Sequence, residues 1–115
     1  MDKHKFVEKL DFLTTPGYLT GRGTREKTGL PPGTGPYKVI TDCCVLGFDK
    51  ETKEMVIESV HPGITLEDVQ SRSSFKLNVR AGLAPAQILV TKEPSQKELE
   101  ILRKEIDPKG QVIGK

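Results

Sequence analysis

The side chains best suited to chemistry in this sequence lie in one loop that is rich in glycine and proline. Residues 14–36 hold six of the eleven Gly and four of the eight Pro. Arg22, Arg25 and Lys27 stand among these glycines, and backbone amides together with cations can bind a phosphate group. The loop matches neither a dinucleotide fingerprint nor a Walker phosphate loop. The three cations are candidates for phosphate contact, and solvated loop cations are the alternative interpretation.

Outside this loop, few residues could serve as a base, a nucleophile or a metal ligand. His61 stands beside Pro62 and Gly63, but no nucleophile motif accompanies it, so a turn histidine bonded to backbone is expected. The adjacent Cys43 and Cys44 are predicted to be reduced, buried side chains, since strand neighbours point to opposite faces. Together with only two histidines they give no zinc spacing, so no metal site is expected.

Glu58 interrupts an apolar run in a predicted strand. Alternation places it on the face opposite Ile57, and a position at the rim of the sheet is favoured over a buried acid. The other neighbouring acids lie in a charged turn or in the first turn of a helix, where the helix dipole alone explains them. The residues alone therefore identify no catalytic group.

The length of the loop at residues 14–36 requires something to hold it. Loops of more than about 12–15 residues are uncommon in compact domains unless they are functional or disordered. Ordering this one costs on the order of 25–45 kcal/mol of backbone entropy, and its only large apolar residues are Tyr18, Leu19 and Leu30. We therefore expect a partner subunit or a bound ligand to hold the loop.

The remaining sequence has the pattern of an α/β protein. Residues 5–13 predict a short helix that leads into an extended segment. The charged residues 49–53 predict the turn of an antiparallel hairpin, and the small residues 82–86 predict another turn. Strands are predicted at residues 37–48, 54–60, 75–79 and 88–90.

Two helices have clear capping residues. Thr65 and Asp68 are spaced to cap a short helix that ends near Gln70. Ser95 and Glu98 form a capping box for a C-terminal helix, which Asp107-Pro108 ends. The apolar face of that helix consists of Leu99, Leu102 and Ile106.

Length and charge restrict the class of protein. A chain of 115 residues is expected to form a single domain, residues 1–115, with a small core. The net charge of +2 does not build the one-sided field that nucleic-acid or membrane-surface binding needs, so neither partner is expected. No apolar segment approaches the roughly 20 residues of a membrane span. A cytoplasmic protein is expected.

Four segments, in this order, resemble one known family. They are residues 12–18 (FLTTPGY), 33–42 (GTGPYKVITD), 47–49 (GFD) and 59–69 (SVHPGITLEDV). Together they resemble the carboxy-terminal half of the B (beta) subunit of family I CoA-transferases. The resemblance spans roughly residues 4–107 and implies a three-layer α/β fold, incomplete here, with a mixed sheet, a β-hairpin and a C-terminal helix.

The resemblance also implies a chemistry and partners. In that family a glutamate of the B subunit attacks an acyl-CoA and passes CoA, by way of a glutamyl-CoA thioester, to a carboxylic acid. The family's nucleophile lies upstream of the segment that matches residues 12–18, and Asp2, Glu8 and Asp11 lack its glycine-containing setting. We therefore expect a fragment or split subunit that is inactive alone. Its expected partners are the A (alpha) subunit or the missing amino-terminal half; CoA esters are substrates, with no bound cofactor.

Few site residues carry over from the family. Candidates for facing the substrate or the subunit junction are Thr14, Thr15, Pro16, Gly17, Tyr18, Gly33, Thr34 and Gly35. Glycine turns packed for backbone reasons are the alternative interpretation. Two other functions stay open: a CoA-ester hydrolase or decarboxylase of the same family, and a noncatalytic module that pairs through an exposed sheet edge.

Overall fold

The computed structural model describes residues 1–80 and 87–112, which build an α/β structure around one mixed sheet of five strands. The predicted turn at residues 82–86 lies outside the described residues. The strands are β1 (Val39–Ile40), β2 (Cys44–Phe48), β3 (Met55–Val60), β4 (Asn78–Val79) and β5 (Leu89–Val90). The helices are α1 (Thr24–Lys27), α2 (Leu66–Ser71) and α3 (Gln96–Ile101), the last continuing as a π-helical segment, Leu102–Ile106.

The sheet combines an antiparallel half with a parallel half. The strands β1, β2 and β3 pair in that order and antiparallel, and β2 and β3 form the predicted hairpin. Along the other edge of β3, β4 pairs beside Val56 and Ile57, and β5 pairs beside Ser59 and Val60, both parallel to β3. The predicted α/β class with a mixed sheet is confirmed.

The single strand predicted for residues 37–48 is wrong, because the chain reverses direction within it. The Thr41 hydroxyl accepts hydrogen bonds from the amides of Cys43 (3.2 Å) and Cys44 (3.0 Å), and the Thr41 amide donates to the Cys44 carbonyl (3.0 Å). A hydroxyl that bonds nearby backbone offers the chain an alternative to an extended ladder. This turn produces β1, which pairs back onto β2.

The helix predicted within residues 5–13 is also wrong. The amides of Lys5 and Phe6 both donate to the Asp2 carbonyl in a turn, and the structure has no regular element there. Phe6 stacks on Phe75 with ring centres 5.5 Å apart, whereas Leu10 is exposed. The apolar spacing that favoured a helix therefore does not form one buried face.

Both capping predictions are confirmed. The Thr65 hydroxyl accepts from the Asp68 amide while the Asp68 carboxylate accepts from the Thr65 amide, and the same reciprocal pair joins Ser95 and Glu98. The predicted stop at Asp107 is confirmed, since its carboxylate accepts from the amides of Gln111 and Val112 just beyond.

The core is small and lies on one face of the β2–β3 hairpin, with Val69 of α2 packed fully buried against it. The radius of gyration is 16.7 Å, whereas a compact domain of this length has roughly 13 Å. Partly buried apolar residues, among them Phe6 and Phe75, pack against this core, whereas others, among them Phe12 and Val112, are exposed to solvent. The core consists of Cys43, Cys44, Leu46, Ile57, Val60, Val69 and Leu77.

We expect the caps to make the fold sensitive to acid. Hydrogen bonds from Thr65 lower the pKa of Asp68, and those from Ser95 lower the pKa of Glu98. A depressed pKa contributes stability above the ordinary carboxyl pKa of about 4, and this contribution is lost as the pH falls through the lower folded value. The thermal midpoint should drop as the pH falls below the ordinary carboxyl pKa of about 4. In Asp68→Asn it should be lower at neutral pH and drop less in acid; an unchanged acid profile would contradict the assignment.

No helix in residues 1–80 and 87–112 is long and apolar enough to cross a membrane.

Candidate functional site

The glycine-proline loop is folded around one arginine. Arg25, in α1, donates from Nη1 to the Gly17 carbonyl (2.5 Å) and from Nη2 to the Thr34 hydroxyl (2.9 Å). Its Nε is buried and has no hydrogen-bond partner among the described residues. Because Gly17 and Thr34 belong to the two family-like segments of the loop, the guanidinium joins the segments that the sequence separates.

Tyr18 fixes the same two segments from the other side. Its hydroxyl donates to the Pro36 carbonyl (2.8 Å), and its ring meets Phe48 of β2 edge to face with ring centres 5.0 Å apart. A Cβ on Gly35, which has a φ of 144°, would lie 2.6 Å from the Tyr18 ring. Only glycine permits this close approach of the backbone to the ring. The glycine at position 35 is therefore explained by its packing against Tyr18, as the alternative interpretation of these glycines expected.

The loop also rests on the turn of the β2–β3 hairpin. Gly21 has a φ of 103°, and a Cβ there would lie 2.8 Å from the carbonyl oxygen of Thr52. On the same turn, the Lys53 ammonium lies 5.5 Å from the centre of the Tyr18 ring. The loop is therefore held in part by the hairpin of its own chain. The expectation that a partner subunit or a bound ligand holds it did not include these contacts.

Two hollows lie within the loop. One of about 510 Å³ is lined by Thr15, Pro16, Gly17, Gly35 and Arg25, among others. A smaller one of about 90 Å³ is lined by Tyr18, Gly33, Thr34 and Arg25, among others. The structure thus gathers seven of the eight candidate junction residues around Arg25, whereas Thr14 lines neither hollow. Whether these residues face a substrate stays a prediction.

The three candidate phosphate cations do not converge on these hollows. Arg25 lines both, but two of its nitrogens already bind the loop itself. Arg22 lies 3.9 Å from Glu51, with both side chains 79% exposed, and Lys27 ends α1 as an exposed residue. The geometry does not favour a joint phosphate contact by these three residues.

Glu58 is the centre of a charge cluster that the sequence analysis missed. Leu46 pairs with Ile57 and Val45 with Ser59, so Glu58 is the extra residue of a β-bulge. A bulge interrupts the alternation of side chains between the two faces of a strand. The rim prediction for Glu58 assumed that this alternation was regular. The Glu58 side chain is 15% exposed, so it is half-buried, between the predicted rim position and a fully buried acid.

Two cations hold the Glu58 carboxylate. Lys38 pairs with Oε2, and Arg80 pairs with Oε1 at 3.1 Å. The carboxylate lies against Gly47 of β2, where a Cβ would overlap it. A charged residue within an apolar run, facing a glycine on the neighbouring strand, was the available signal for this cluster.

The remaining candidates are structural. His61 accepts at Nδ1 from the Thr91 hydroxyl (3.0 Å) and donates from Nε2 to the Thr41 carbonyl (2.9 Å), which confirms the predicted turn histidine. The two cysteines are free and buried, as predicted, and burial raises the pKa of the Cys44 thiol. Their sulfurs are 4.0 Å apart rather than on opposite faces, because Cys43 precedes β2. No cluster in the described part of the chain could hold a metal ion.

Replacing Arg25 by Met should loosen the loop. A charge-assisted hydrogen bond contributes about 1.5–3 kcal/mol, so the loop should open at least about tenfold more often. The measurement is the rate of cleavage after Tyr18 or Leu19 by a chymotrypsin-like protease, two sites that the substitution leaves intact. Arg22→Met is the matched control, and equal cleavage of the two variants would contradict the role given to Arg25.

These features define an α/β domain with a hairpin-centred mixed sheet and an arginine-held loop, and the fold of this chain matches that of a known protein. No protein-family model matches the chain. The crystal structure of glutaconate coenzyme A-transferase from Acidaminococcus fermentans matches with a TM-score of 0.87 and 34% identity, covering 99% of this chain and 42% of that one.

Sequence comparison finds the same kind of relative. The chain is 36% identical over 112 residues to the B subunit of glutaconate CoA-transferase from Acidaminococcus fermentans, a match that covers 97% of this chain and 40% of the relative. It is 36% identical over 98 residues to the B subunit of 3-oxoadipate CoA-transferase from Pseudomonas knackmussii, covering 85% of this chain and 35% of the relative. Over most of its length the chain is therefore a homologue of CoA-transferase B subunits.

A third relative has another activity in its name. The cholesterol ring-cleaving hydrolase IpdB subunit of Rhodococcus jostii is 34% identical over 74 residues, which are 64% of this chain and 27% of the relative. The chain thus spans well under half the length of each of these curated relatives.

Proposed function

We propose that this chain is part of a CoA-transferase that moves CoA between an acyl-CoA and a short carboxylic acid. The observation that carries the proposal is the combination of 36% identity over 97% of the chain with the fold match to glutaconate coenzyme A-transferase. The chain contributes scaffold and pocket wall, and the loop held by Arg25 is the wall nearest the subunit junction.

The proposed reaction uses a glutamate as a covalent carrier. Its carboxylate oxygen attacks the thioester carbonyl, and the thiolate of CoA leaves to give an acyl-glutamyl anhydride. The thiolate then attacks the glutamyl carbonyl, releasing the first acid and forming a glutamyl-CoA thioester, from which the second acid takes CoA by the reverse steps. The carboxylate conserves the thioester's free energy provided that the pocket excludes water.

We assign this nucleophile to a part of the enzyme outside this chain. An attacking carboxylate has to face the acyl group, whereas Glu58 is held by Lys38 and Arg80. Glu8 and Asp11 are in the irregular first segment, without a glycine beside them. This assignment agrees with the family pattern, in which the glutamate precedes the segment that matches residues 12–18.

We propose that an A subunit and further parts of the B subunit cover this chain in the assembled enzyme. Phe12, Ile106 and Val112 are 80%, 69% and 87% exposed. We infer that these side chains, with the other exposed large apolar residues of the described part of the chain, belong to apolar patches that other chains or segments cover. The names of the relatives as B subunits support the same partner.

A hydrolase is the second candidate, because the cholesterol ring-cleaving hydrolase subunit matches 64% of this chain. The two reactions differ in the acceptor. A transferase moves CoA from the acyl-CoA to the carboxylate of a second acid. A hydrolase uses water to cleave the thioester bond of the CoA ester, or a carbon–carbon bond of a ring.

The test combines this chain, a cognate A subunit, an acyl-CoA and labelled acetate. We expect no labelled acetyl-CoA with this chain, and transfer with a chain extended at its amino end by the glutamate-containing segment. Labelled product with neither chain, but loss of the acyl-CoA, would favour the hydrolase. Binding to the A subunit without any effect on CoA esters would favour a noncatalytic interaction module.

A further inference from the structure

A cationic cavity lies between the end of the glycine-proline loop and the β2–β3 hairpin. Its volume is about 320 Å³, within the range of about 300–1,000 Å³ that small-molecule sites occupy. The loop side is formed by Tyr18 and Pro36, and the hairpin side by Phe48. Its charged residues come from separate segments of the chain, so the fold and not local sequence assembles it.

The cavity carries a net positive charge. Four cations line it, Lys38, Lys50, Lys53 and Arg80, against two carboxylates, Asp49 and Glu58. The Asp49 carboxylate is directed to the hairpin turn, where it accepts from the amides of residues 51 and 52, both at 2.8 Å. Those hydrogen bonds also lower the pKa of Asp49. The lining of the cavity therefore has an excess of two positive charges.

The carboxylate of Glu58 positions the Lys38 ammonium and the Arg80 guanidinium, and it leaves some of their N–H groups free to bind a ligand. An ammonium carries three N–H donors and a guanidinium five, and Glu58 takes one contact from Lys38 and one from Arg80. The Glu58 side chain is largely enclosed, and its carboxylate fixes the positions of the Lys38 and Arg80 side chains. Such an arrangement of Arg and Lys donors suits the oxygens of a phosphate group.

Aromatic rings stand next to these cations. The Lys38 ammonium lies 4.9 Å from the centre of the Tyr37 ring, and Tyr37 is 82% exposed. An exposed ring at the mouth of a cationic cavity provides a face on which a purine can stack. Phosphate-binding cations and a stacking ring are together the components of a nucleotide site.

We propose that this cavity binds a nucleotide through its phosphate groups, with the base stacked at Tyr37. The identity of the nucleotide rests on the proposed function: in a CoA-transferase it is the phosphorylated adenosine end of CoA. The site then lies between the loop and the hairpin. Lys53 of the hairpin lines this cavity, and its ammonium also lies over the ring of Tyr18 in the loop.

The test is calorimetric titration of the full chain with adenosine 3′,5′-bisphosphate at fixed ionic strength, in parallel with inorganic phosphate and adenosine. We expect the bisphosphate to bind at least about tenfold more tightly than either half. Lys53→Gln and Arg80→Gln should each weaken it by about tenfold. Lys97→Gln, which removes the same charge from an exposed position on α3, is the matched control and should bind normally.

Each contrary outcome would refute one part of the proposal, either the location of the site or the identity of the ligand. Equal affinity of the wild-type chain, Lys53→Gln and Arg80→Gln would overturn the cavity as the site, as would an equal loss in Lys97→Gln. Inorganic phosphate binding as tightly as the bisphosphate would overturn the nucleotide. The titration needs no A subunit and no turnover, so its outcome is independent of the transfer assay. Bisphosphate binding, together with no CoA transfer by the amino-extended chain and its A subunit, would refute the proposed function alone. Transfer by that complex without bisphosphate binding to this cavity would refute this site alone.

Discussion

Glu58→Ala is expected to lower the free energy of unfolding by about 2–4 kcal/mol. The substitution leaves Lys38 and Arg80 beside each other without the carboxylate that pairs both. It also leaves an empty space over Gly47. Because the side chain is only partly exposed, removing one partner of this cluster costs more than breaking an ordinary surface ion pair. Denaturant titration of the chain measures the difference.

Two variants make this prediction sharp. Glu51→Ala removes an equal charge from a pair in which both side chains are 79% exposed, and it should cost less than about 1 kcal/mol. Gly47→Ala should destabilise the wild-type chain by displacing the carboxylate, yet be nearly neutral in the Glu58→Ala background, since the clash is then gone. Additive effects, or equal losses from Glu58→Ala and Glu51→Ala, would refute the account of the cluster.

Gly21→Ala is expected to separate the glycine-proline loop from the hairpin. The residue has a φ of 103°, and the new Cβ would lie 2.8 Å from the Thr52 carbonyl oxygen. Both the backbone strain and the clash must be relieved, so we expect a loss of about 3 kcal/mol of unfolding free energy or an equivalent opening of the loop. Protease cleavage within residues 14–36 and denaturant titration together measure it.

Gly29→Ala is the matched control for this loop. Gly29 has a φ of 83°, but a Cβ there meets nothing within 4 Å. It should show only the backbone strain, about 1–2 kcal/mol, without faster cleavage at Tyr18. If Gly21→Ala and Gly29→Ala behave alike, the loop does not rest on Thr52.

The parts of the fold that sequence predicts well are those with local physical causes. Thr65 with Asp68 and Ser95 with Glu98 mark helix starts because the reciprocal hydrogen bonds form within four residues. The β2–β3 hairpin follows likewise from two apolar runs and one charged turn. The reversal at Thr41 was missed because a single hydroxyl sets it, inside a run whose apolar pattern favours a continuous strand.

The candidate site was predictable only in part. The family-like segments of the loop are visible in sequence, and the structure brings most of their residues around Arg25. The role of Arg25 as the centre of the loop was not visible, since its partners are nine residues or fewer away on both sides and leave no periodic pattern. The Glu58 cluster depends on a bulge and on residues 20 positions or more apart, which alternation alone cannot bring together.

The loop has more support from its own chain than its composition predicts. Arg25, Tyr18 and Gly21 tie it to itself and to the hairpin. The small core and the exposed apolar residues support the proposal that other chains or segments cover this one. This combination fits a pocket wall that is shaped before assembly and covered on assembly.

The most direct test of this account maps the carboxylate that carries CoA. The complex of an A subunit with a longer B-type chain that contains these residues is incubated with acyl-CoA, reduced with borohydride and digested for mass spectrometry. A glutamyl-CoA thioester is reduced to an alcohol, which marks the residue that bore it. We expect the marked glutamate to lie outside residues 1–115. A mark on Glu58, or on any other acid of this chain, would contradict it.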